Sequence, residues 1–519
     1  MMFVACARHP RLASVSRVST AALAVLCALA SVSHLRAQSP QGDAAPARAP
    51  TPAPQQQQWK GSLVAPDGKT TLDLLARFTA QADGGFSGTL DVPMQGLKNG
   101  VLKDIILDAH EMRFTFTAPG APPEASARFV LKIAEDGRTA TGTLSQGEVQ
   151  TPVTFERVAE GQTADISIRR PQDPVPPYEY EERGIVFRNP TDGTALAGTL
   201  TIPLGEGPHP AVVLLSGSGA QDRDEFIAGH RPFLVLADHL TKHGVAVYRF
   251  DDRGVGGSGG NIAQSTCDTL AEDAIAAVDL LRLQPEIDPK RIGVIGHSEG
   301  GIIGPMAAAR SPNVAFVVML AGTGFAGRDI LTMQAEAISK AAGLDQNDID
   351  RATAAHKRAM DLLEQKAGDD AVRAAIRELA VIQITSFSNK HGNQMPPDAF
   401  IDNYVEQQMQ MIQSDWFKSF LFLDPSQVLR QIRVPVLALI GSLDVQVPAS
   451  ANIPRIRKAL EDAKNNDATV QELPGLNHMF QPAGTGSPEE YATIQTTIDP
   501  AVLDLVTEWI RKRTRLAPR

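Results

Sequence analysis

The sequence predicts an α/β fold. A mostly parallel sheet is covered on both faces, interrupted by a helical insertion and preceded by a small antiparallel β-domain. Three observations predict it. The short apolar runs Ala211–Leu215, Ile292–Ile295 and Val434–Ile440 are continuous, as in strands buried on both faces. Helical patterns alternate with them. Over residues 58–160 the apolar period is instead two, the mark of half-buried strands.

Size and charge set the outer bounds. The chain has 519 residues, 43% hydrophobic and 21% charged, which excludes wholesale disorder, collagen and coiled coil. One core rarely grows past about 250–300 residues, so more than one domain is expected. A net charge of −10 argues against a general nucleic-acid binder.

Residues 1–37 read as a secretory signal peptide. Arg8, Arg11 and Arg17 are basic, Ala21–Val32 is an uncharged apolar run, and cleavage is expected near Ala37. That run is too short for a membrane span of roughly 20 residues, and no transmembrane segment is expected in the mature chain. The expected location is the periplasm or the medium. Cleavage would remove four arginines and no acid, taking the charge from −10 to −14. It would also remove Cys6 and Cys27, leaving Cys267 and no internal disulfide. No Cys/His cluster has metal-ligand spacing, so no metal is expected.

The mature chain then reads in order. Residues 38–57 are Pro, Ala and Gln with almost nothing apolar, as in a disordered linker. Residues 58–160 alternate, as in Leu72, Leu74, Ala76 and Phe78, or Ala127, Phe129, Leu131 and Ile133. Asp67-Gly68, Asp83-Gly84, Asn99-Gly100 and Asp136-Gly137 mark turns between them. A barrel or sandwich of six to eight strands is expected, serving to pack on the next domain or to hold a sugar or lipid. Residues 161–181 are a Pro-rich linker, and residues 182–519 form the α/β domain. Within it, Phe233, Leu236, Ala237 and Leu240 make a helical face stopped by Gly244. The next helix is expected near Thr269, with Glu272 completing a capping box. Residues from about 323 to 432 break the alternation: helical, Gln- and Met-rich, they read as a cap over the carboxyl ends of the strands.

The chemistry centres on Gly296-His297-Ser298-Glu299-Gly300. An apolar strand runs into this motif and a small-residue helix runs out of it, which is the context of a nucleophile elbow with Ser298 as nucleophile. A serine needs a base. Three histidines follow Ser298, and His356 and His391 fall in the insertion. His478, in the loop after strand-like Thr469–Leu473, is the expected base. Asp444, at the end of strand Val434–Ile440, is the expected acid that orients it. The oxyanion hole needs two backbone N–H groups. One is that of Glu299. The other comes from the loop Ser216-Gly217-Ser218-Gly219, with Ser218 ahead of Gly219. The Glu299 side chain is expected to complement the helix start. Gly254, Gly256 and Gly259 mimic a dinucleotide fingerprint, but the next helix starts too late for one, and no cofactor is expected.

These residues resemble the α/β-hydrolase superfamily over roughly residues 182–515. More narrowly, they are similar to exported bacterial serine esterases with a helical lid, often grouped as S33-like serine aminopeptidase domains. The matching stretches are Leu215–Glu225, Asp251–Ser258, GHSEGG, Pro435–Pro448 and Pro474–Tyr491, with Gly88–Gly96 in the front β-domain. The resemblance implies an α/β-hydrolase sheet, hydrolysis of a small or medium carboxylic ester through an acyl-enzyme, and Ser298, Asp444 and His478 as the triad. The rival expectations are a peptidase or thioesterase with the same triad, and a ligand-binding protein on a hydrolase fold. Oligomeric state is not legible.

Overall fold

The computed structural model describes residues 56–64, 71–93, 97–117, 126–146, 149–159, 162, 164, 166, 168–391, 395 and 398–516. The expected signal peptide, most of the expected linker 38–57 and the Asp67-Gly68 turn lie outside the described residues. The described residues form two compact units: one holds those of 56–168 and 384–404, the other those of 169–383 and 405–516.

The first unit is built on a closed barrel of eight antiparallel strands. They are β1 (Gln56–Val64), β2 (Thr71–Ala80), β3 (Phe86–Val92), β4 (Leu97–Leu107), β5 (Glu111–Phe116), β6 (Ala127–Ile133), β7 (Thr139–Gln146) and β8 (Val149–Arg157). Each pairs with the next, and β1 closes on β8. β1 opens at Gln56, inside the segment expected to be linker. Gln56 and Gln57 pair with Thr79 and Phe78, because a ladder uses backbone groups and tolerates polar side chains at its entrance. The alternating apolar residues point inward. Trp59, Phe78, Phe114, Phe129 and Phe155 are fully buried, and Phe114 stacks on Phe129 with ring centroids 4.5 Å apart. The interior is thus side-chain core, as in other small barrels.

The second unit carries an eight-stranded sheet. Its strands are β9 (Tyr180–Arg188), β10 (Ala195–Pro203), β11 (His209–Leu215), β12 (Ala246–Phe250), β13 (Ile287–His297), β14 (Val317–Leu320), β15 (Val436–Gly441) and β16 (Ala468–Leu473). The spatial order is β9-β10-β12-β11-β13-β14-β15-β16. β9, β10 and β12 pair antiparallel, and β12 onward is parallel. After β11 the chain goes first to β12 on one side, then to β13 on the other. Ligands of open α/β sheets bind at the carboxyl ends near such a reversal.

Helices α1 (Pro232–Lys242), α2 (Cys267–Arg282) and α3 (Gly300–Arg310) connect the parallel strands. The capping box expected at Thr269 and Glu272 is not the one used. α2 starts earlier, and the Thr266 side chain accepts from the N–H of Thr269. Between β14 and β15 lie, among the described residues, α4 (Gly327–Ala341), α5 (Gln346–Glu364), α6 (Asp369–His391), α7 (Asp398–Gln413), α8 (Asp415–Phe422) and α9 (Pro425–Leu429). α10 (Ala449–Asp462) follows β15. The sequence reading has no counterpart of α11 (Pro500–Thr514). Its Val502, Leu503, Val506 and Ile510 join Phe233, Leu236 and Leu240 of α1 in one core.

Candidate active site

The turn from β13 to α3 is too tight for side chains around it. A Cβ on Gly296 would lie 1.9 Å from the Gly300 carbonyl oxygen, and one on Gly300 would lie 2.1 Å from that of Leu215. Ser298 sits in the left-handed region at φ 53, which a side chain rarely adopts. Its N–H is anchored on the Leu320 carbonyl of β14 at 2.8 Å, and its side chain stays half-exposed. The N-terminal end of α3 lies directly beyond it, a setting that favours negative charge.

Asp444 and His478 leave the same sheet edge, after β15 and β16. Asp444 Oδ2 faces His478 Nδ1 at 2.9 Å, and both side chains are buried. The other carboxylate oxygen accepts the N–H groups of Gln446 (2.8 Å) and Val447 (2.7 Å), which fixes the carboxylate plane. The His478 loop lies against the elbow, since the His297 ring is 4.8 Å from that of His478. The other two histidines of the sequence reading go elsewhere. His356 is buried in α5, where burial pushes its pKa down to about 4, and His391 ends α6.

The loop after β11 lies beside Ser298. Gly217 approaches so closely that a Cβ on it would sit 3.3 Å from Ser298 Cβ. Its N–H is already committed to Glu225 Oε1 at 2.6 Å. Those of Ser218, Gly219 and Glu299 take no acceptor among the described residues. Asp252 holds the loop, accepting from Ser216 Oγ (2.7 Å) and the Gln221 N–H (2.8 Å). Neighbouring Asp251 pairs with Arg223 through both carboxylate oxygens, and the glycine-rich loop wraps it: the Gly257 N–H donates to it at 2.9 Å. Gly256 is explained by close approach to that carboxylate, since a Cβ on it would lie 2.2 Å from Asp251 Oδ2, and α2 begins only at Cys267.

The Glu299 side chain corrects an expectation. It makes no cap on α3. It is buried beneath α8 of the insertion, where Trp416 Nε1 donates to Oε1 at 2.9 Å and to Oε2 at 3.1 Å. Burial raises its pKa to about 7 against the lowering effect of Trp416 and Cys267. One residue therefore offers its N–H to the site and its carboxyl to the insertion.

A pH effect on stability follows. The folded carboxyl, at about 7, holds its proton above the ordinary value of 4.5, so the folded state binds more protons than the unfolded one between these values. Its stability contribution is full below about 4.5 and is lost as pH rises through about 7. At about 1.4 kcal/mol per pH unit this amounts to about 3 kcal/mol. Glu299→Gln is neutral at every pH and escapes the loss. The variant's melting temperature, relative to the parent's, should rise between pH 5 and pH 8. A difference that stays constant across that range would refute the assignment.

The sequence reading missed two residues beside the triad. Glu225 is completely buried, and its Oε1 faces His297 Nδ1 at 2.9 Å. Burial opposes charge on His297, but the charge and hydrogen bond of Glu225 outweigh it and hold the pKa above the ordinary value. The available signals were an acid inside the matching stretch Leu215–Glu225 and the histidine directly before Ser298.

Residues 212–494 match the alpha/beta hydrolase family. Esterase EstD of Thermotoga maritima is 25% identical over 375 residues, 71% of this chain and 77% of its own length. A 2,6-dihydropseudooxynicotine hydrolase of Paenarthrobacter nicotinovorans is 28% identical over 173 residues, 32% of this chain and 42% of its own length. Among solved structures, the alpha/beta hydrolase GrgF of Penicillium sp. sh18 is similar with a TM-score of 0.39 and 17% identity, over 65% of this chain and 100% of its own. With the family match spanning more than half of its length, the chain belongs to the alpha/beta hydrolase family.

Proposed function

We propose that this chain is a serine carboxylic-ester hydrolase, exported from the cytoplasm, that acts through an acyl-enzyme on a small or medium ester. The observation that carries the reading is the buried Asp444–His478 pair at 2.9 Å, on the sheet edge that also bears the strained Ser298 turn. The similarity to esterase EstD supports esters as the substrate class.

The steps follow from the residues. His478 takes the Ser298 hydroxyl proton as the oxygen attacks the ester carbonyl. Asp444 holds the imidazole with Nδ1–H toward itself and stabilises the imidazolium. The N–H groups of Glu299 and Ser218 receive the oxyanion, with Gly219 next to them. His478 then gives its proton to the departing alkoxide, which leaves as the alcohol. Water, deprotonated by the same imidazole, attacks the acyl-enzyme, and the acid leaves with Ser298 restored.

The test is hydrolysis of p-nitrophenyl acetate, butyrate and octanoate, beside labelling by a serine-directed fluorophosphonate. Turnover with stoichiometric labelling of Ser298 is expected, and the chain-length profile will size the acyl pocket. Folded protein that neither labels nor turns over any ester would overturn the reading. Preference for thioesters or aminoacyl amides in kcat/KM would keep the triad and replace the substrate class.

A further inference from the structure

One carboxylate oxygen behind the triad carries two bonds. Glu225 Oε1 accepts the N–H of Gly217 at 2.6 Å and faces His297 Nδ1 at 2.9 Å. The other ring nitrogen of His297 lies 3.1 Å from the carbonyl oxygen of His478. Gly217 precedes the donor Ser218, His297 precedes the nucleophile Ser298, and the carbonyl belongs to the base itself. The three bonds therefore join the three loops that carry the proposed machinery.

The protonation state follows from the partners. A carbonyl oxygen only accepts, so His297 Nε2 carries a proton. Burial opposes charge on the ring, but the charge and hydrogen bond of Glu225, which faces Nδ1, favour the imidazolium form of His297. The other ionisable groups around the pair are Asp444 and His478, from the loops after β15 and β16, and Asp252 after β12. Glu225 is 0% exposed and stands at φ 53, a left-handed position disfavoured for any side chain. Such positions persist where the surroundings over-determine them.

We infer that Glu225 and His297 form a second acid–imidazole pair that acts on the proposed reaction as positioning residues, locking the oxyanion loop and the His478 loop onto the nucleophile elbow. The inference rests on the serine-hydrolase reading above. Neither residue touches the reacting atoms. Their contribution appears in kcat rather than KM, because they set the donor and base positions that matter in the transition state.

Glu225→Gln tests the charge without changing the shape. The amide oxygen can replace Oε1 and keep both contacts, with the NH2 at Oε2, a buried atom that has no partner among the described residues. His297 then loses the charge that keeps it doubly protonated. Burial then pushes its pKa down, so the ring gives up a proton at lower pH than in the parent and forfeits one of its two bonds. The ratio of parent to variant kcat should be smallest at the acid end of the profile and rise with pH by about 10- to 100-fold, the worth of one charge-assisted hydrogen bond. KM should change less than about twofold. A merely structural role would give a ratio that does not depend on pH, and that result would overturn the inference. His297→Gln cannot titrate at this position, so its kcat should be low by a constant factor at every pH, even if Glu225→Gln does not fold. Unchanged kcat in His297→Gln also overturns the inference. Ser298→Ala is measured alongside. If it is inactive while the Glu225→Gln ratio is flat, only the second pair is disproved. If it is active, the serine reading falls and the inference with it.

Discussion

On the proposed mechanism, Ser298→Ala is expected to lower kcat on p-nitrophenyl butyrate by roughly 10⁶-fold, as removal of the nucleophile does in serine hydrolases. The substitution removes one half-exposed oxygen and little else. The N–H of residue 298 still bonds the Leu320 carbonyl, and Gly296 and Gly300 still make the tight turn possible. Alanine meets the left-handed backbone with the same Cβ as serine, so the strain at φ 53 is common to both. Circular dichroism and melting temperature should therefore match the parent. Fluorophosphonate labelling should vanish. Some acceleration over water should survive, because the Glu299 and Ser218 donors and the binding surface are intact. Activity within tenfold of the parent, in a preparation free of contaminating hydrolase, would remove Ser298 from the nucleophile's role.

Much of this architecture was legible in the sequence because it is encoded locally. A strand buried on both faces must be a continuous apolar run, and Ala211–Leu215 and Val434–Ile440 are such runs. The tight turn is legible because strand, Ser298 and helix are contiguous, and chain order points to Asp444 and His478, which lie 2.9 Å apart. The barrel was legible as strands, with barrel and sandwich left as alternatives. Closure depends on β1 meeting β8, and nothing local in Gln56–Val64 announces that pairing.

The illegible part consists of contacts made across the fold. Glu225 meets His297 over a separation of 72 residues, and only the adjacency of β11 and β13 brings them together. Glu299 meets Trp416 over 117 residues. As a sequence feature, Glu299 looked like an acid at a helix start, where helix electrostatics would welcome it. Burial beneath an indole N–H is a different environment, and it keeps the carboxyl protonated to about pH 7. The cap of α2 failed for a smaller reason. Thr266 and Thr269 are both competent caps, and the apolar pattern that begins at Leu270 does not distinguish them.

Asp444→Asn is the second substitution with a large expected effect, about 10⁴-fold in kcat. Its mechanism can be read from the hydrogen bonds. Two backbone N–H groups, of Gln446 and Val447, converge on Asp444 Oδ1. In the variant they select the amide oxygen for that position, since an NH2 there would face two donors. The amide NH2 is then forced to the position of Oδ2, 2.9 Å from His478 Nδ1. A donor at that position requires an acceptor opposite, so Nδ1 gives up its proton and the imidazole carries it on Nε2. The nitrogen that should take the Ser298 proton is thereby already protonated. The residue is isosteric and the fold should persist, with KM near the parent's. Nitrogen NMR of the His478 ring should report the exchanged tautomer. The two measurements check each other: a 10⁴-fold loss with the parent tautomer would mean that Asp444 acts through charge alone, and a loss below tenfold would remove it from the triad.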